Sequence, residues 1–245
     1  MSAKSIQILS TVVLIAATTV GCSNDACAVG TAESPADCAP TSVVIDVQGD
    51  NSMSTGTDLT ARHTAYLTEA LTNLDGLGGE VRISYRAGST DTRCGTVTVE
   101  LPDRMSGSDP DWVDAANSVL AQAKDLMECA ANTQARGSFV FDPALVDEDA
   151  TAAWVMSDGL VFDSTARFTL ANLSSTEWVS DTAVAFVHPG ALDGVEVTWF
   201  GLGRHANLDR KQFNNLQAFW TQVIEESGGT VTFLNDEPPA STESA

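Results

Sequence analysis

Lysine is nearly missing from this chain: only Lys4, Lys124 and Lys211 occur in 245 residues. Lys and Arg together number 12 against 33 Asp and Glu, a formal net charge of −21. A surface of that sign repels phosphate backbones, so nucleic acid is excluded as a partner. Long apolar runs are also missing beyond residue 22, so nothing later in the sequence reads as a membrane span. Histidine is limited to His63, His188 and His205, without H-E-x-x-H or any paired spacing. They read as surface or turn residues, not as metal ligands. Ser157 lacks the G-x-S-x-G elbow of a hydrolase nucleophile. No nucleophile–base pair emerges, no catalytic residue is assigned, and an enzyme is not expected. No internal repeat is visible, and the length suits one domain with a proper core.

What is present begins with export. Lys4 precedes the mostly apolar Ile6 to Val20, and the segment closes on Thr19-Val20-Gly21-Cys22. The run falls short of the ~20 residues of a spanning helix, so 1–21 reads as a signal peptide. Its ending resembles a lipobox, which implies cleavage before Cys22, acylation of Cys22, and a membrane-anchored protein on the extracytoplasmic face. Residues 22–40 are small, polar and Pro-containing, as a tether requires. Residues 236–245 carry Pro238-Pro239 and no apolar period, and read as a disordered tail. The four remaining cysteines, Cys27, Cys38, Cys94 and Cys129, form an even set in an exported chain, which points to two disulfides with three connectivities open.

Residues 41–235 alternate in pattern. Val43-Val44-Ile45 is a short apolar run of the kind found in a strand buried on both faces. Leu59, Tyr66, Leu67, Ala70, Leu71 and Leu74 follow helical spacing and stop at Gly76 and Gly78-Gly79. Val81 to Tyr85 and Val97 to Leu101 alternate as strands. Asp109-Pro110 starts a helix whose apolar face holds Trp112, Val113, Ala116, Leu120, Ala123, Met127 and Ala130. Ala152 to Met156 reads as another buried strand, opening into Ser157-Asp158-Gly159. Val195 to Phe200 leads into Gly201-Leu202-Gly203, and Phe213, Leu216, Trp220, Val223 and Ile224 mark a last helix before the strand Thr230 to Leu234. Phe162 to Leu192 is poorly patterned; a short helix over Thr182 to Val187 is the reading, with Trp178 exposed. Trp112, Trp154, Trp199 and Trp220 fall on apolar faces and read as core. The fold class predicted is α/β: a single doubly wound, mostly parallel six-stranded sheet with helices on both faces. In such a sheet the helix from Asp109 runs back towards the start of strand three. Cys129 then approaches Cys94, which leaves Cys27 for Cys38.

The order of elements resembles the von Willebrand factor A fold. Three stretches carry the resemblance: Val44-Ile45-Asp46-Val47-Gln48-Gly49-Asp50 after strand one, Ser157-Asp158-Gly159 after strand four, and Phe200-Gly201-Leu202-Gly203 after strand five. Within that family the chain looks most like actinobacterial envelope lipoproteins, which end the domain with a helix containing a pair like Phe219-Trp220. The resemblance implies a metal-ion-dependent adhesion site for Mg²⁺ or another divalent cation, held by hard oxygen ligands. Asp46 matches the first aspartate of its D-x-S-x-S loop and Asp158 the last ligand. Gln48 and Asp50 replace the two serines, and Ser138 takes the place of the family's threonine. A second register, Asp50-Asn51-Ser52-Met53-Ser54, satisfies D-x-S-x-S literally; Asp46 is preferred because it directly follows Val43-Val44-Ile45. Both aspartates also suit plain turn chemistry. Gly201-Leu202-Gly203-Arg204-His205-Ala206 formally matches a dinucleotide fingerprint, yet too little chain follows to build a nucleotide-binding half. The function implied is an envelope lipoprotein that binds a protein or glycan partner, with a metal-free solute-binding lipoprotein as the alternative.

Overall fold

Among the described residues six strands form one sheet in the order β3-β2-β1-β4-β5-β6, parallel except for β3. The computed structural model describes residues 43–50, 57–72, 78–86, 94–102, 110–132, 141–162, 166–203 and 207–234. All of them lie in the unit Pro40–Ala245. The strands are β1 Val43–Asp50, β2 Gly79–Arg86, β3 Thr96–Leu101, β4 Ala152–Met156, β5 Glu196–Phe200 and β6 Thr230–Leu234. The helices are α1 Thr57–Thr72, α2 Pro110–Asn132, α3 Leu170–Leu173, α4 Thr176–Ala183 and α5 Arg210–Glu226. The α/β class, the mostly parallel sheet and the helices on both faces are therefore as the sequence predicts. The signal segment, Cys22, the tether, Cys27, Cys38, Ser138, His205 and the 236–245 tail lie outside the described residues.

Strand alternation divides the core in two. On one face Ile45, Val81, Ile83, Tyr85 and Met156 pack with Leu67, Leu71, Val119, Ala123 and Met127 of α1 and α2. On the other, Val44, Ala153, Val155, Val197 and Trp199 pack with Leu173, Val179, Phe219, Trp220 and Val223 of α3, α4 and α5. This second core is unusually aromatic. Trp199 and Trp220 rings are 4.6 Å apart, and Phe168 meets Phe219 edge-on at 4.8 Å. Such pairs add about 0.5–1.5 kcal/mol each beyond the area they bury.

Cys94, just ahead of β3, is bonded to Cys129 near the end of α2, with Cα atoms 5.8 Å apart. The pairing follows from α2 running antiparallel to the strand direction, which returns its last turns to the start of β3.

Three expectations need correction. The stretch from Phe162 to Leu192 holds α3 and α4; the helix expected over Thr182 to Val187 begins earlier, at Thr176, and passes at Ala183 into the 3-10 turn Val184–Phe186. Both helices are too short for a full apolar stripe, and their caps were the readable signal. Thr169 accepts from Asn172 N–H at 3.1 Å, and Ser175 from Trp178 N–H at 3.2 Å. Trp178 is half-buried, its ring edge-on to Phe168 at 5.5 Å. His63 is not a surface residue. It sits on α1 at helical spacing with Tyr66 and Leu67, only 3% exposed, its ring 5.7 Å from that of Tyr85.

Candidate functional site at the carboxyl ends of β1 and β4

The chain leaves β1 to one side and β4 to the other, so their carboxyl ends flank the point where strand order reverses. Ligands of open α/β sheets bind there, because the diverging loops leave a crevice. Asp158 stands in the turn after β4. Its Oδ1 accepts the N–H of Leu160 at 3.0 Å, and Ser157 Oγ accepts the N–H of Gly159 at 3.0 Å. Both side chains are buried. Two indoles pin the turn from below: Trp199 Nε1 donates to the Ser157 carbonyl at 2.8 Å, and Trp220 Nε1 to that of Gly159 at 2.9 Å. From the side, Gly203 N–H donates to the Asp158 carbonyl at 2.8 Å. Gly159 has φ +73°, and an added Cβ would lie 2.5 Å from Leu202 and 2.8 Å from the Trp220 indole nitrogen. Only glycine fits.

The β1 side differs from the sequence expectation. The strand does not stop at Ile45 but runs through Asp46 to Asp50. Gly49 pairs with Met156 on the last rung that β1 shares with β4. Asp46 lies three rungs earlier, ~10 Å along the strand at the usual rise per residue. The structure thus does not bring the Asp46 and Asp158 backbones together at the strand ends. Instead Asp50 closes β1, opposite Arg86 of β2, and the literal D-x-S-x-S run begins on it. The apolar-run signal ended at the first charge. A central strand, however, is held by hydrogen-bonded neighbours on both sides and continues through polar residues. Gln48 is buried in the sheet, 1% exposed. Gly49 leaves room for the Tyr85 ring, which a Cβ would overlap.

Asp46 is paired in register with Arg82 and Ala153. Arg82 is the hub of an acidic cluster. Its guanidinium donates to Glu80 at 2.6 Å and to both oxygens of Asp149 at 2.9 and 3.2 Å, and it contacts Asp147. Hydrogen bonds donated to Asp149 and Glu80 hold the guanidinium charged, its pKa raised. In return the Arg82 hydrogen bond lowers the Asp149 pKa below the ordinary value. This is ion-pair chemistry near the amino end of β4, away from the carboxyl ends of the strands.

A divalent cation at the strand ends would draw on Asp158, Asp50 and the hydroxyls that follow Asp50. Of these the described residues give the Asp158 carboxylate and the Asp50 backbone position; Ser52, Ser54 and Ser138 lie outside them. A carboxylate has two oxygens, so the Leu160 turn and a cation are compatible at Asp158. Among the described residues no group of three or more His, Cys, Asp or Glu is gathered as a metal cluster. His188 Nε2 lies 3.4 Å from Asp142 Oδ1, far along the chain from this turn. The turn glycines Gly201 and Gly203 have φ +82° and +70°, and a Cβ at Gly203 would meet the Phe213 ring at 2.7 Å. Their role is to end β5 and admit α5, which opens on a capping box between Asp209 and Gln212. That box and the two indole donors were the features sequence reading missed. Asp209-x-x-Gln212 was legible as a capping signature, but nothing in the sequence marks which tryptophan donates to which carbonyl. No helix among the described residues is long and apolar enough to cross a membrane. Set against models of known protein families and against curated proteins, the chain matches none of either.

Proposed function

We propose that this chain is an exported, lipid-anchored envelope protein whose von Willebrand factor A-like domain binds a protein or glycan partner at the carboxyl ends of β1 and β4, through a divalent cation. The observation that supports the reading is that β1 ends at Asp50, one residue past the rung Gly49–Met156 that closes its pairing with β4. Asp50 is the last residue of β1 and opens Asp50-Asn51-Ser52-Met53-Ser54, and Asp158 lies in the rigid turn two residues past β4. Asp50 and Asp158, with Ser52 and Ser54, are the ligands assigned; Gln48 and Asp46 belong to the body of β1. Ser138 is kept as the hydroxyl contributed by the segment before β4. A hard cation such as Mg²⁺ or Mn²⁺ favours these oxygens, and an open coordination position would accept a carboxylate from the partner.

Export is supported by the apolar segment ending in Cys22 and by the Cys94–Cys129 disulfide, a bond that persists outside the reducing cytoplasm. Calorimetric titration of the chelator-treated protein with Mn²⁺ tests the site: saturable binding of one ion is expected, and heats equal to dilution would refute it. Mass spectrometry of the native protein tests the anchor. A mature chain beginning at an acylated Cys22 is expected, and an unmodified Cys22 would overturn that part.

A further inference from the structure

The two helices on the Tyr85 face do not cover the whole sheet. Beyond α1, residues of β4, β5 and β6 line a cleft of about 300 Å³ with Glu69, Trp154, Glu196, Thr198, Phe200 and Leu234 in its wall. The pattern of the strands explains the gap. In Glu196-Val197-Thr198-Trp199 and Thr230-Val231-Thr232-Phe233 the large apolar residues go to the opposite core, leaving Thr198, Thr230 and Thr232 on this side. Threonine favours a strand yet asks for no helix to cover it. The cleft floor is aromatic: Trp154 lies there beside Phe200, whose ring is 5.0 Å from that of Tyr66. Among the described residues that line it, the charges are all of one sign. Glu69 and Glu196 are exposed and have no partner among the described residues, and none of the described residues lining the cleft is Lys or Arg.

We propose that this cleft binds an organic cation, a protonated amine carried on a short hydrocarbon stem. The two carboxylates concentrate positive charge at the mouth, the aromatic floor takes the stem, and an ammonium near the rings gains further attraction. The volume is at the lower end of ligand sites, about 300–1,000 Å³, which limits the stem to about six carbons. Two sources supply this chemistry: a free alkylamine, or a lysine side chain presented by a partner polypeptide. An anionic ligand is excluded by the rim, and the chain's own acidic 236–245 segment is disfavoured for the same reason.

The test is a site-resolved NMR titration of the whole protein with hexylammonium chloride, hexanol, sodium hexanoate and the peptide acetyl-Ala-Lys-Ala-amide. Hexylammonium is expected to shift the Trp154 indole and the Glu69, Ala70 and Thr198 amides saturably, with hexanoate inert and hexanol weaker by about tenfold. In the double variant Glu69→Gln/Glu196→Gln, hexylammonium affinity should fall by about tenfold while hexanol binding is unchanged, which also shows the cleft intact. A peptide that binds more tightly than hexylammonium identifies a partner's lysine as the source; one that binds more weakly identifies the free amine. Equal affinity for hexanol and hexylammonium would overturn the proposal. So would shifts scattered over the acidic surface without saturation, or a double variant that binds the amine as the wild type does.

Discussion

The indole N–H of Trp220, on α5, donates a 2.9 Å hydrogen bond to the carbonyl oxygen of Gly159, 61 residues away in the chain. Both groups are buried, so a helix on the sheet's aromatic side fixes the turn that carries Asp158 together with the turn's own side-chain bonds. Trp220→Phe keeps most of the packing and removes the donor. It leaves a buried carbonyl unsatisfied, at a cost of about 1–3 kcal/mol. Urea denaturation should show that loss; a midpoint equal to wild type would mean the hydrogen bond contributes nothing.

Gly159→Ala should be at least as harmful, because the added Cβ meets Leu202 and Trp220 in a left-handed backbone conformation. A loss of about 1–3 kcal/mol is expected, against less than half of that for Gly194→Ala, which has φ +79° but no atom within 4 Å of the new Cβ. Comparing the two thermal midpoints separates crowding from backbone strain. Equal losses would remove the crowding account.

His63 makes stability depend on pH. Burial lowers its pKa from 6.5 to about 4. Between those values the unfolded chain binds a proton that the folded chain refuses, so this contribution is fully present above pH 6.5 and is lost as pH falls towards 4. Nδ1 has no hydrogen-bond partner among the described residues to offset the charge, and burial keeps the facing Tyr85 phenol protonated throughout. The shift corresponds to about 3 kcal/mol. Denaturation of wild type and His63→Leu at pH 7 and pH 4.5 should show the variant losing less stability on acidification; identical losses would contradict the burial.

Removing the disulfide in Cys94→Ser/Cys129→Ser opens a loop with a sequence separation of 35. The chain-entropy account expects a loss of about 3–4 kcal/mol. Guanidinium unfolding of the double variant beside the oxidised protein measures it directly.

Much of the fold was legible in the sequence because it is written in short-range patterns. Ala152 to Met156 and Thr230 to Leu234 coincide with β4 and β6 as read. The apolar stripe from Trp112 to Ala130 falls within α2, and the Cys94–Cys129 approach follows from its direction. Long-range relationships were not legible. Whether β1 ends at Ile45 or Asp50 depends on pairing with β2 and β4, which sets in across more than a hundred residues for the rung Gly49–Met156. Asp46 looked like a strand-ending ligand because charge normally stops an apolar run. In the fold it is a mid-strand residue in register with Arg82. His63 looked exposed because a single imidazole in a helix gives no burial signal apart from its spacing to Tyr66 and Leu67.

The central claim is that Asp50 and Asp158, not Asp46, are the carboxylates of a divalent-cation site. A melting titration of the chelator-treated protein with Mg²⁺, Mn²⁺ and Ca²⁺ tests it most directly. A cation that binds only the folded state adds RT ln(1 + [L]/Kd), about 2.7 kcal/mol at a hundredfold excess over Kd. Wild type should therefore melt higher with at least one of the three ions. Asp50→Ala and Asp158→Ala should lose that increment, and Asp46→Ala should keep it whatever its effect on baseline stability. No shift in wild type with any ion, or an increment lost with Asp46→Ala and kept with Asp50→Ala, would contradict the account.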